Sequence, residues 1–149
     1  PKVFEDFREY HRTYMSLLNA IGSYECKETV SSYLGWFGQR ERYRAALRAF
    51  FQRWDVLLAP VNITNAFPHV EGRQLALNGH DVDYDLQTVY PSLCNLSGHP
   101  GTVFPFGLTQ GGLPIGLQAV GPYLEDRTSI KFAGLVAQEF DGFQRPPGY

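Results

Sequence analysis

Apolar residues near the start of the chain recur at spacings of three and four. Phe4, Phe7, Tyr10, Tyr14, Leu17 and Leu18 mark Val3–Leu18 as an amphipathic helix, with Gly22 as its stop. A weaker helix is expected from Lys27 to Leu34, ending at Gly35. The clearest stripe runs through Gln39–Trp54, where Tyr43, Leu47, Phe50, Phe51 and Trp54 share one helical face. The apolar run Asp55–Val61, bounded by Pro60, predicts a buried strand. The stretch 62–85 loses all periodicity and is rich in Asn, Gly, His and Asp. It reads as a long variable loop holding a short hairpin around Asn78-Gly79.

Periodicity returns at Tyr84–Leu96, a helical stretch in which Pro91 marks a break or a new first turn. A turn at Gly98-His-Pro-Gly101 leads to a strand at Thr102–Phe104, then to a Gly/Pro-rich connection over Pro105–Pro114. Ile115–Val120 predicts another strand. Asp126 is the expected N-cap of a last helix that turns Ile130, Ala133, Val136, Ala137 and Phe140 inward. The prolines of Phe143–Tyr149 forbid helix there. The sum is an α/β protein, a mixed β-sheet flanked by helices, in a single domain or fragment over 1–149.

One segment is at odds with its own pattern. In Gly111–Gly121 the second half is apolar enough for a buried strand, yet Gly111, Gly112, Gly116 and Gly121 interrupt it. Glycine costs backbone entropy on ordering and packs nothing inside a strand. Either these glycines make turns and allow close packing, or a ligand or another backbone approaches there.

Composition narrows the function classes. Of 149 residues 44% are hydrophobic and 19% charged, the range of a globular core. A net charge of −2 argues against a nucleic-acid binder held by phosphate contacts. Arg40, Arg44 and Arg48 line one helix face, but Glu41 interrupts them, and a solvated face is the favoured reading. No apolar run is long enough to span a membrane. The charged N-terminal stretch lacks the apolar block of a secretory signal. Cys26 and Cys94 are too few for a disulfide framework and fit reduced thiols in the cytoplasm. The chain opens on Pro1-Lys-Val-Phe4 inside a helical pattern and is expected to belong to a longer polypeptide.

Candidate chemistry is sparse. There is no Gly-x-Ser-x-Gly elbow, and Ser31-Ser32 has no neighbouring glycine to free the backbone around an oxyanion. His11, His69, His80 and His99 show no metal-ligand spacing, although His69, Glu71, His80 and Asp81 share one loop. Asp81, Asp83 and Asp85 alternate as in a calcium loop but lack its glycine and distal glutamate. Gly107–Gly112 lacks the Lys-Ser/Thr of a phosphate loop. No cofactor and no metal is expected.

Read with its neighbours, the glycine-rich segment forms a longer pattern. It runs Asn95-Leu-Ser-Gly98-His-Pro100-Gly-Thr-Val-Phe-Pro105-Phe-Gly107, then Gly112-Leu-Pro114-Ile-Gly116-Leu-Gln118-Ala-Val-Gly121. Asp126 and Arg145-Pro-Pro147 follow, and Asp55-Val-Leu-Leu-Ala-Pro60 precedes. From Arg40 to Pro147 this resembles the C-terminal part of the amidase signature family. The resemblance implies that the glycines serve a tightly packed central strand and its leading turn. It also implies hydrolysis of amides, or transfer of ammonia to an acyl group, by a Ser–cis-Ser–Lys triad. None of that triad carries over: Lys2, Lys27 and Lys131 lie outside the family's lysine context, and the Gly-Gly-Ser-Ser-Gly run is absent. The substrate-lining positions that do carry over are Pro100, Gly101, Thr102 and Val103, whose backbone is expected to border the acyl channel. The 62–85 loop is expected to add to that border.

The function expected is therefore the C-terminal part of an amidase-type hydrolase acting on carbon–nitrogen bonds, inactive by itself. The expected partners are a small-molecule amide substrate and either a second copy, as a homodimer, or the missing N-terminal part. The alternatives are a noncatalytic binding or scaffold module, and part of a glutamine-dependent amidotransferase subunit.

Overall fold

A computed structural model describes residues 29–69, 74–140, 142–146 and 148. The helix expected over Val3–Leu18 lies outside the described residues. The chain divides into two compact units, Pro1–Arg53 and Trp54–Tyr149.

The described part of the first unit is helix α1, Val30–Phe51. It starts on a capping box: Thr29 Oγ1 accepts from the Ser32 amide at 3.2 Å, and Ser32 Oγ accepts from the Thr29 amide at 2.9 Å. This role accounts for Ser32 of the serine pair. The expectation of two helices separated near Gly35 is corrected, because α1 runs unbroken through Gly35 and Gly38. A glycine ends a helix by adopting positive φ, and neither does so. An interior glycine costs about 1 kcal/mol against alanine, and cooperative propagation from a capped start overrides that. Tyr43 and Leu47 are buried as the stripe requires, whereas Trp54 lies beyond the helix and is exposed. In the arginine row, Arg44 pairs with Glu41 at 2.9 Å.

The second unit is built on a three-stranded sheet of order β1-β5-β4, with β1 Leu57–Pro60, β4 Gly101–Leu108 and β5 Pro114–Val120. All its pairings are antiparallel, with Ala59 opposite Gln118 and Thr102 opposite Ala119. Strands β2, Gln74–Leu77, and β3, His80–Asp83, form a separate hairpin. Its turn has Asn78 at φ 51° and Gly79 at φ 80°, the left-handed pair that Asn-Gly supplies most readily. A 3-10 helix, Tyr84–Thr88, follows, capped by Asp83 accepting from the Asp85 amide at 2.9 Å. Asp83 thus has a local structural partner within the alternating aspartates. Helix α2, Pro91–Ser97, starts with Pro91 in its first turn and ends on left-handed Gly98.

Strand β4 is longer than expected. The stretch from Pro105 to Leu108 continues the ladder across a bulge between Pro105 and Gly107, rather than forming a connection. Proline lacks the N–H a ladder needs, and β4 tolerates Pro105 because among the described residues it lies at the edge of the sheet. The connection shrinks to a tight turn in which Gly112, at φ 79°, donates to the Thr109 carbonyl at 3.0 Å. At this position glycine makes the turn.

Helix α3, Asp126–Glu139, lies against β4 and β5. Phe104, Ala119 and Ala133 form the buried core there, flanked by Val56, Leu117, Phe132 and Val136. Two expectations about α3 are corrected. Its N-cap is Glu125, not Asp126, which lies in the first turn. There its charge still complements the helix dipole. Ile130 and Phe140 are exposed, at 58% and 61%. The inward face is centred on Ser129, which is fully buried. Ile130, one residue on, is turned away by about 100°.

Candidate functional site

Strand β4 gives its successive side chains different surroundings, as the two-residue period of a strand requires. Thr102 and Phe104 turn toward α3: Thr102 Oγ1 lies 2.9 Å from Ser129 Oγ, and the Phe104 ring meets Phe132 edge-on at 6.2 Å. Gly101 and Val103 take the alternate positions. A β-carbon on Gly101 would stand 2.8 Å from Cys94 Sγ and 3.5 Å from Gln118 Cδ. Only glycine fits that gap without displacing the thiol. Val103 is 57% exposed and lines an open cavity of about 820 Å³.

The cavity forms where the end of β1 meets β5, with Pro60 opposite Leu117. One wall comes from Val103, Pro105, Ile115 and Leu117, and the other from residues 61–66 with Leu77. That second wall is pinned by polar contacts to the 3-10 helix. Thr64 Oγ1 donates to Gln87 Oε1 at 3.3 Å. With its side-chain carboxamide oriented to satisfy both groups, Asn62 Nδ2 donates to the Val61 carbonyl at 3.1 Å and the Gln87 carbonyl at 2.9 Å. Phe67 packs edge-on against Tyr84 at 6.2 Å. Gln87 itself is buried, so its hydrogen bonds act away from competing water.

Of the four expected lining positions, Val103 is the one whose residue borders this cavity. The Pro100 carbonyl accepts from the Gly121 amide at 2.9 Å, Gly101 faces Cys94, and Thr102 is engaged with Ser129. Sequence reasoning did not single out Val61, Ile63, Thr64 or Ile115. The available signal was the apolar start of β5 and the Val-Asn-Ile-Thr run after Pro60. Of the 62–85 loop, residues 62–66 and Leu77 line this cavity.

Other candidate chemistry remains thin. Burial pushes the Cys94 thiol up from 9.0 to about 11, so it is protonated at neutral pH and a poor nucleophile. Gln118 Nε2 lies 3.5 Å from its sulfur. Among the described residues no three His, Cys, Asp or Glu side chains converge as a metal site. Glu71 lies outside the described residues. No helix among the described residues is long and apolar enough to cross a membrane.

Known proteins share this frame. The family model Amidase matches residues 4–130. The chain belongs to the amidase signature family. Its match to the glutamyl-tRNA(Gln) amidotransferase A-subunit of Rhodospirillum rubrum is 30% identical, covering 87% of this chain and 25% of the relative. The protein of the same name from Myxococcus xanthus is 35% identical over 64% of this chain and 18% of its own length. A crystal structure of an amidase superposes with a TM-score of 0.68 at 26% identity, covering 78% of this chain and 26% of that one. This amidase signature chain therefore spans about a quarter of the length of such relatives.

Proposed function

We propose that this chain is the C-terminal part of an amidase-type hydrolase. It supplies sheet, helices and one wall of the substrate channel, while polypeptide outside it supplies the Ser–cis-Ser–Lys triad. In the assembled enzyme a serine attacks the amide carbonyl, and backbone N–H groups hold the oxyanion that forms. The observation that carries this reading is the cavity bordered by Val103 and the pinned 61–66 wall, in a chain of amidase signature descent. The backbone of Pro100, Gly101, Thr102 and Val103 forms the neighbouring edge of that channel. Those residues position the wall, and none is a catalytic residue.

The reading assigns the chain a small-molecule amide as substrate, with no cofactor, no nucleic acid and no membrane partner, in the cytoplasm. It also assigns it a protein partner: a second copy, or the part that carries the triad. Leu58, Leu108, Leu135 and Phe140 are each at least half exposed, and an apolar surface of this kind favours association.

A second reading has its own support. Subunits of glutamyl-tRNA(Gln) amidotransferase are among the relatives, and in that reading the liberated ammonia passes to an acyl acceptor held by a partner protein. The purified 149-residue chain is expected to hydrolyse no amide above buffer, and to support hydrolysis when joined to the triad-bearing part. Turnover by the chain alone, surviving repurification, overturns the reading. Ammonia transfer to an acyl acceptor in place of release to water favours the second.

A further inference from the structure

We propose that Asn78 is a modification site, converted by spontaneous deamidation to isoaspartate through a succinimide that the Gly79 backbone nitrogen closes. The conversion unpairs the β2–β3 hairpin and loosens Leu77. The inference is independent of the amidase reading.

The chemistry needs a main-chain nitrogen that reaches the side-chain carbonyl carbon of the residue before it. A side chain on the following residue obstructs that approach, and glycine has none. Asn19, Asn62, Asn65 and Asn95 precede Ala20, Ile63, Ala66 and Leu96, whereas Asn78 precedes Gly79. A β-carbon on Gly79 would meet nothing within 4 Å, so no neighbouring group crowds the reacting atoms. Asn78 is exposed, which gives water access. The carboxamide of Asn62, by contrast, is held by the Val61 and Gln87 carbonyls.

The closed turn fixes Asn78 at φ 51° and Gly79 at φ 80°, so ring closure proceeds when the hairpin opens. Opening is easy. Strands β2 and β3 have four residues each and form a sheet of two strands, which is marginal by itself in water.

The step balances with water as the only co-reactant. The Gly79 nitrogen gives up its proton and bonds to Asn78 Cγ. The Cγ–Nδ2 bond breaks, and Nδ2 leaves as ammonia with a proton in place of the one released. Water then opens the ring. Cleavage of the bond from Cγ to the Gly79 nitrogen gives aspartate. Cleavage of the bond from the Asn78 carbonyl carbon to that nitrogen gives isoaspartate, whose main chain runs through Cβ and Cγ. Nothing is oxidised or reduced.

Isoaspartate lengthens the main chain by one methylene inside a two-residue turn. Such a turn sets strand register, so the pairing of Leu77 with His80 is lost. The new carboxylate also joins Asp81 and Asp83 on one small hairpin, where like charges repel. Leu77 lines the cavity, and this pairing holds it there.

The 149-residue chain is incubated at mildly alkaline pH and sampled by peptide mass mapping and isoaspartyl methylation. A synthetic peptide of residues 74–83 serves as the unpaired reference. Conversion at Asn78 is expected within about tenfold of the peptide's rate, the small protection a marginal hairpin offers. Isoaspartate is expected to exceed aspartate, and the other asparagines to stay intact over the same interval. In the converted chain, amide exchange in β2 and β3 is expected to quicken and the Leu77 methyl signals to shift, while β5 stays protected. Asn78→Gly keeps a turn that Gly-Gly suits, and its hairpin exchange is expected not to change during incubation.

An intact Asn78 after the peptide has fully converted overturns the inference. So does equal conversion at another asparagine. A hairpin that keeps its protection in the isoaspartate form, or that loosens as fast in the incubated Asn78→Gly chain, overturns the structural consequence.

Discussion

Cys94 Sγ lies 2.8 Å from the point where a β-carbon on Gly101 would stand. This near-contact joins α2 to the first residue of β4 and fixes how closely the turn before the strand approaches the helix. Gly101→Ala therefore overpacks the joint. A destabilisation of about 1–2 kcal/mol is expected, the lower part of the usual overpacking range. Adding Cys94→Ala empties the sulfur's place, and the double variant is expected to recover most of the loss. Urea unfolding of the four proteins gives the coupling. Equal loss with and without the sulfur contradicts the account.

The bond between Thr102 and Ser129 holds α3 on the sheet. Ser129 Oγ donates to the Asp126 carbonyl at 3.0 Å, which leaves Thr102 Oγ1 as the donor to Ser129. Thr102→Val removes that donor at a fully buried serine, and about 1–2 kcal/mol of stability is expected to go with it. In the assembled enzyme the same variant is expected to leave KM for an amide substrate within about twofold, because the side chain faces α3 and does not line the cavity. A rise in KM with unchanged stability would place the hydroxyl on the substrate instead.

Titration of Cys94 gives a pH signature. Its folded pKa, about 11, is raised above the ordinary 9.0 by burial. The unfolded chain thus releases this proton earlier, and stability is expected to fall as pH rises from about 9 through 11. Below pH 9 the group contributes no slope. Cys94→Ala is expected to flatten this part of the curve, measured as Tm against pH. An unchanged slope in the variant assigns the effect elsewhere.

The hairpin turn tests a local signal. Gly79 sits at φ 80°, where any side chain is strained. Gly79→Ala is expected to cost about 1 kcal/mol. It is also expected to speed amide exchange in β2 and β3 while leaving β5 protected. Uniform loss of protection would contradict the hairpin's independence from the main sheet.

These elements also show which features were legible in the residues alone. The Asn78-Gly79 turn, the break at Pro91 and strand β5 announce themselves because each depends on chemistry within a few residues. The passage of α1 through Gly35 and Gly38 was hidden, since a glycine stops a helix only if it takes positive φ, and that choice is made by the flanking turns. The length of β4 was masked by Pro105 and Gly107, which an edge strand tolerates and a central one does not. On α3 the expected inward positions Ala133 and Val136 do pack on the core, but Ile130 is exposed and Ser129, bonded to Thr102 27 positions earlier, is buried beside it. The cavity was the least visible feature. Its walls come from β1, the residues after it, β4 and β5, and no local pattern joins Ile63 to Ile115. The resemblance drew attention to β4, where the closeness of Gly101 to Cys94 makes the glycine a packing constraint, and Val103 of that strand lines the cavity.

The most direct test of the account is to locate the acyl-enzyme. The triad-bearing assembly containing this chain is trapped with an activated ester or a fluorophosphonate, digested, and the labelled serine found by mass spectrometry. The account predicts an adduct on a serine of the associated polypeptide and unmodified serines throughout these 149 residues. A stoichiometric adduct on any serine of this chain, with loss of activity in step, contradicts it.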